Sequence, residues 1–135
     1  MSAEAFDAVV ARIRALPPKE RHSAKDAARA LVSADRQRSA CDRSVFDAIM
    51  ARINWTSGIA FPGFNSLQAD TGFCRRAVAG SVARLRAANL LLVDPRTPKD
   101  GRTSNSYTIP GIAGVSRTAL VQMIALPLVQ PLHPP

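Results

Sequence analysis

The chain has 135 residues, 47% of them hydrophobic, and a formal net charge of +8 at neutral pH. That length builds about one domain with a core of its own, and the positive balance points to an anionic partner, nucleic acid first, because arginines and lysines that neutralise phosphates gain from counterion release. Two histidines and two cysteines, each pair widely separated, give no support to a metal cluster, a disulfide framework or a Ser-His-Asp or Cys-His arrangement, so neither an enzyme nor a cofactor is expected.

The alternative reading of the charge is compositional. Of the 18 basic residues 15 are arginine, in a chain also rich in alanine, and excess positive charge can serve solubility alone. No membrane role is expected: the tail TALVQMIALPLVQPL is interrupted by Pro127 and Pro131 and carries Gln122, short of the roughly 20 apolar residues that cross a bilayer. No basic leader with an apolar segment opens the sequence, which makes the cytoplasm the expected compartment. The acceptor pattern Asn54-Trp55-Thr56 is then a chance match.

From Ala3 to Leu16, Phe6, Val9, Val10, Ile13 and Leu16 recur at three- and four-residue steps and predict an amphipathic helix, stopped by Pro17-Pro18. A second helix is expected from about Ser23, as its cap, through Ala27, Ala30 and Leu31 to Ala34. Residues 34–42, ADRQRSACD, read as a linker. A third helix starting near Ser44 presents Phe46, Ile49, Met50 and Ile53. Its segment VFDAIMARIN matches AFDAVVARIR of the first helix at six of ten positions. Either an element has been duplicated, allowing like-with-like packing across a dimer, or two amphipathic helices have converged in an alanine- and arginine-rich vocabulary.

Ile59-Ala60-Phe61 is a short strand candidate, turned by Pro62-Gly63. Asn65 or Ser66 can cap a short helix carrying Leu67 and Ala69, and Gly72 supplies the positive φ of a tight turn. Residues 71–93 then hold four arginines and no acid. Cys74 opens a helix in which Val78, Val82 and Leu85 face the third helix, and Asn89 ends it in a left-handed conformation. A thiol at that helix start beside arginines has a redox option, but a small residue filling the cap is the simpler reading. Leu90 to Val93 reads as a buried strand closed by Asp94-Pro95. Residues 96–103, RTPKDGRT, form a polar, basic hairpin tip, and Ser104 to Ile109 is the return strand with Tyr107 and Ile109 inward. A last helix is expected over about Ser116 to Leu126, with Ala119, Leu120, Met123 and Ile124, before a proline-rich end. Trp55, the sole tryptophan, reads as an edge-of-core residue.

Several pieces fall in a familiar order: Phe61-Pro62, then Leu67, Ala69 and Thr71-Gly72, then Cys74-Arg75-Arg76-Ala77-Val78, then Asn89-Leu90-Leu91, then Asn105-Ser106-Tyr107. In this the chain resembles the winged helix-turn-helix domain of plasmid and phage replication proteins and of many bacterial regulators. The resemblance implies a recognition helix at 74–88, a wing at 96–103, and double-stranded DNA as partner. The sequence departs from that pattern at Ala77, in place of the usual threonine, and at Ala79 and Gly80, where longer polar residues are common. Specificity should then concentrate in Arg75 and Arg76, because recognition helices enter the major groove by their N-terminal residues and arginine can donate two bonds to guanine. Arg84 and Arg86 are candidates for phosphate contacts or surface ion pairs.

The interface expected on this basis comprises Asn65 and Ser66 at the supporting helix, Arg75, Arg76, Ala77, Ala79, Gly80 and Arg84 on the recognition helix, and Lys99, Arg102 and Thr103 in the wing. The expected fold is mainly α with a small β-hairpin: a winged helix-turn-helix over 43–110, an N-terminal helical extension over 1–42 as a dimerisation arm, and an apolar helix with a proline-rich tail over 111–135. The expected function is a sequence-selective double-stranded DNA-binding protein, a homodimeric bacterial or mobile-element transcriptional regulator. Two alternatives stand beside it: a replication initiator or initiation accessory protein, and a protein-interaction module meeting transcription or replication machinery through the same scaffold.

Overall fold

The computed structural model describes residues 3–96, 104–115, 119, 120 and 122. The described chain is mainly helical with one two-stranded antiparallel hairpin. Its elements are α1 (Ala3–Arg14), a 3-10 turn (Pro18–Glu20), α2 (Arg21–Ala34), α3 (Ala40–Ala51), α4 (Phe64–Thr71), α5 (Arg75–Ala87), β1 (Leu92–Val93) and β2 (Tyr107–Thr108).

The periodic stripes read in the sequence become the core. Phe6, Val9 and Ile13 of α1, Phe46, Ile49 and Met50 of α3, and Val78, Val82 and Leu85 of α5 are all buried in one cluster with Leu90 to Val93. Each large side chain removed from water contributes on the order of 1.5–3 kcal/mol. The apolar face of α1, expected to be free for a second copy, is therefore used within this chain. The homologous-looking stretches in α1 and α3 share their burial too: Phe6 and Phe46, Val9 and Ile49, Ile13 and Ile53 all lie inside.

Two boundaries and one buried face differ from expectation. Ser23 lies within α2, its hydroxyl donating to the Glu20 carbonyl at 3.1 Å, and the helix begins two residues earlier without a side-chain cap. The inward residues of α2 are Ala28 and Val32, while Ala27 and Ala30 are exposed and Leu31 is 37% exposed. The expected linker is shorter than 34–42, because α3 starts at Ala40. Ser39 caps it, accepting from the Asp42 amide at 3.0 Å while the Asp42 carboxylate accepts from the Ser39 amide, which satisfies two otherwise orphaned donors.

Between α3 and α4, Ala60 makes a single antiparallel bridge to Tyr107, with N···O distances of 2.9 and 2.7 Å. Tyr107 also pairs with Val93, and Thr108 with Leu92, so β2 runs between Ala60 and β1. The short strand expected at 59–61 is reduced to that bridge. Gly63, rather than Asn65 or Ser66, occupies the N-cap of α4, and both polar residues sit in its first turn. Leu67 is buried as expected, but Ala69 is exposed.

The turn joining α4 to α5 depends on Gly72, whose φ of +77° is costly for any residue with a Cβ. Thr71 helps to close it, donating its hydroxyl to the Leu67 carbonyl at 2.7 Å and accepting from the Phe73 amide at 3.3 Å. At the far end of α5, Asn89 takes φ +59° and its amide reaches Arg86 while the Leu90 amide reaches Leu85, a Schellman closure that directs the chain into β1. Beyond β2, Ile112 and Val115 return to the core. Ala119, Leu120 and Gln122 are helical, with Leu120 fully buried. Met123, Ile124 and the proline-rich end lie outside the described residues.

Candidate nucleic-acid interface

Helix α5 has three distinct sides. Val78, Ser81, Val82 and Leu85 form the side packed on α3. Since residues three, four, seven and eleven positions apart share a side, Arg76, Ala79, Gly80, Ala83 and Ala87 form the outer side. Arg75, Ala79, Val82 and Arg86 form the flank turned toward β2.

The first turn of α5 has no acidic residue, and its cap Cys74 makes no side-chain bond to the helix. Arg75 and Arg76 are both exposed there. Cations at a helix N-terminus oppose the macrodipole, at about 0.3–1 kcal/mol each, and the free amides of that turn favour an anion. Arg76 forms no ion pair with any described residue. The Arg75 guanidinium lies 5.1 Å from the centroid of the Phe64 ring, across the gap between the starts of α5 and α4. Below it opens a cleft of about 340 Å³ between α4, α5 and β2, lined by Pro62, Gly63, Phe64, Asn65, Arg75, Ser104, Asn105 and Tyr107.

Tyr107 forms the floor. Burial pushes its hydroxyl up from the usual tyrosine range, opposed by a hydrogen bond with the Asn105 side chain and by the positive charge of Arg86. Gly63 and Ser104 close the cleft's inner wall: a Cβ at 63 would stand 3.2 Å from the Ser104 hydroxyl. Asn65 is exposed at the rim, its carbonyl oxygen accepting from the Gln68 amide at 3.4 Å, and Ser66 is half-buried.

Other expected contact residues have structural work of their own. Ala77 turns inward, half-buried against the core, with its carbonyl accepting from the Cys41 thiol at 3.6 Å. Ala77 therefore does not share the outer side of α5, where it was expected. Arg84 is likewise not a free phosphate contact. Its Nη2 and Nε lie 2.9 and 3.1 Å from Oδ1 of Asp42, a carboxylate with no solvent exposure.

Gly80 belongs to the same arrangement. A Cβ there would meet the Arg84 guanidinium at 3.2 Å, so the glycine leaves room for the arginine's path to Asp42. Ala79 is half-buried on the shared edge of the outer side and the flank. Lys99, Arg102 and Thr103 lie outside the described residues. Arg96, three residues beyond β1, is held by Asp94 at 2.8 Å and by Asp7 of α1 at 2.6 Å.

The sequence reading missed Phe64, Ser104 and Asn105 as parts of the site and Asp42 as its anchor. The Ser39-x-x-Asp42 spacing was the available signal for a helix start, but Asp42's second role needed the fold. Trp55 is half-buried against the core, with Arg21 and Lys25 at 5.3 and 5.2 Å from its ring centroid. Among the described residues, no group of three or more His, Cys, Asp or Glu side chains is placed to hold a metal ion. Cys41 is buried and Cys74 exposed, both as free thiols. No described helix is long and apolar enough to cross a membrane.

No family model matches the chain, and no curated protein or solved structure does so.

Proposed function

We propose that residues 43–110 act as a winged helix-turn-helix that binds double-stranded DNA sequence-selectively, with α5 as its recognition helix, and that the chain regulates transcription in the bacterial cytoplasm. The observation that carries this reading is the pair Arg75 and Arg76, exposed in the acid-free first turn of α5. Two cations held against the helix dipole, with no carboxylate bound to them among the described residues, favour a polyanion. The order of elements agrees with it: α3, the Ala60 bridge, α4, a tight glycine turn, α5, then β1 and β2 with β2 central.

Alanines and a glycine on the outer side of α5 leave few side chains to read bases. The remaining specificity would come from the hairpin tip, from DNA shape, or from a second copy on a paired half-site. With α1's apolar face buried, a homodimer would use another surface.

The test is binding of duplex DNA by the wild-type protein and by the Arg75→Ala, Arg76→Ala double variant. The wild type should bind with affinity falling steeply as salt rises, and the double variant should lose most of that affinity while keeping its fold. Equal binding by both would remove α5 from the interface. Genome-wide immunoprecipitation separates the roles: sites at promoters support a regulator, and a single origin-like cluster would instead support a replication initiator.

A further inference from the structure

We infer that the adjacent Arg75 and Arg76 have different targets: Arg75 seats a DNA backbone phosphate in the cleft between α4, α5 and β2, and Arg76 is the one that meets base edges. The inference rests on the DNA-binding reading above and deepens it at one site.

Consecutive helix residues are rotated by about 100°, so the two arginines cannot point the same way. Arg76 stands on the outer side, opposite the buried stripe of Val78, Val82 and Leu85. Nothing among the described residues holds it, so it is free to extend into a groove. Arg75 stands on the flank, turned toward β2, and its guanidinium is drawn over the Phe64 ring at 5.1 Å, which orders it at the mouth of the cleft. An arginine fixed at that edge is poorly placed for the middle of a groove but well placed for what borders it.

The cleft's chemistry fits a phosphodiester. Its lining holds a guanidinium, the Ser104 hydroxyl and the amides of Asn65 and Asn105, all able to donate, and no carboxylate. Arg86, about three turns farther along the same flank of α5, adds positive charge near Tyr107 at the floor. About 340 Å³ accommodates one phosphate group with water, and the close approach of Gly63 to Ser104 brings that hydroxyl to the cleft. Phosphate contacts fix register and base contacts fix sequence, so this division would let one residue position α5 while its neighbour reads.

The experiment compares the full chain with its Arg75→Ala, Arg75→Lys and Arg76→Ala variants. Each is titrated against a duplex selected from a random pool and against a scrambled duplex, over a range of salt, with circular dichroism to verify folding. Arg75→Ala should weaken binding to both duplexes by the same factor and make the slope of log affinity against log salt shallower by about one. Arg75→Lys, which keeps the charge, should retain the wild-type slope. Arg76→Ala should keep the slope and reduce discrimination between the duplexes by roughly 5- to 100-fold. If Arg75→Ala instead relaxes discrimination at an unchanged slope, or changes nothing, the phosphate seat is overturned while DNA binding stands. No binding of either duplex by the wild type would overturn the DNA reading, and the phosphate seat with it.

Discussion

Arg84 near the end of α5 closes on Asp42 in the first turn of α3, its Nη2 2.9 Å from Oδ1. The carboxylate has no solvent exposure, and it also accepts from the Ser81 hydroxyl at 2.7 Å and the Ser39 amide at 3.4 Å, with Arg38 Nη1 3.5 Å away. One side chain thus caps α3 and ties α5 to it, which fixes the angle at which Arg75 and Arg76 are presented.

Removing the acid should cost more than removing the base. Asp42→Ala takes the shared partner from Arg84, the Ser81 hydroxyl and the Ser39 amide, while Arg38 keeps Asp35 at 3.2 Å, and should destabilise the chain by about 3 kcal/mol. Arg84→Ala leaves Asp42 its other donors, and solvent can reach the vacated place. Its cost should be about 1.5 kcal/mol. Urea unfolding of the two variants checks the order, and an equal or inverted ranking would contradict the role given to Asp42.

The same carboxylate sets an acid limit. Burial alone would raise its pKa, but the hydrogen bonds from Arg84, Ser81 and the Ser39 amide, with the charge of Arg84, hold it below the usual carboxylate range. A depressed carboxyl contributes stability that is complete above its unfolded value, about 4, and is lost as pH falls through the folded one. Melting temperature should therefore drop as pH falls below about 4 in the wild type, and the Asp42→Asn variant should show a smaller drop over the same acid range.

Gly80 offers a test of packing against propensity. Alanine gains about 1 kcal/mol over glycine inside a helix, but here its methyl would press on the Arg84 guanidinium. Gly80→Ala should give little or no stabilisation in the wild type and about 1 kcal/mol in an Arg84→Ala background. A double-mutant cycle in which the effects simply add would show that the two residues are not coupled.

Much of the helical framework was legible because its signals are local. The stripes of α1, α3 and α5, the left-handed Gly72 and Asn89, and the buried run Leu90 to Val93 all follow from spacing and backbone preference. In α2 the signal failed, since alanine on every side left Ala27, Ala30 and Leu31 as good a stripe as the inward Ala28 and Val32. At α4, Gly63 capped the helix where Asn65 and Ser66 looked better, because the turn at Pro62-Gly63 feeds the helix directly. Ion pairing was one of two readings open for Arg84, but its buried partner, 42 residues away, could not be read from the sequence, and neither could the inward turn of Ala77. Of the candidate site, Arg75 and Arg76 were legible from charge patterning and helix geometry alone turns them apart, but the cleft and the Phe64 ring that hold Arg75 required the fold.

Residues 1–16 should prove indispensable to folding. Phe6, Val9 and Ile13 are 2%, 0% and 1% exposed in the common core, so deleting them removes on the order of 5 kcal/mol or more of apolar burial. The truncated chain should lose its cooperative thermal transition. A truncated chain that melts at the wild-type temperature would make the first helix a separate arm.

Selection from a random duplex pool tests whether this chain reads duplex DNA through the start of α5, as proposed above. The wild-type protein should enrich a defined sequence, and the Arg76→Ala variant should enrich a more degenerate one at the positions nearest the α5 N-terminus. A pool that stays random under the wild-type protein, with no salt-dependent retention, would contradict the claim.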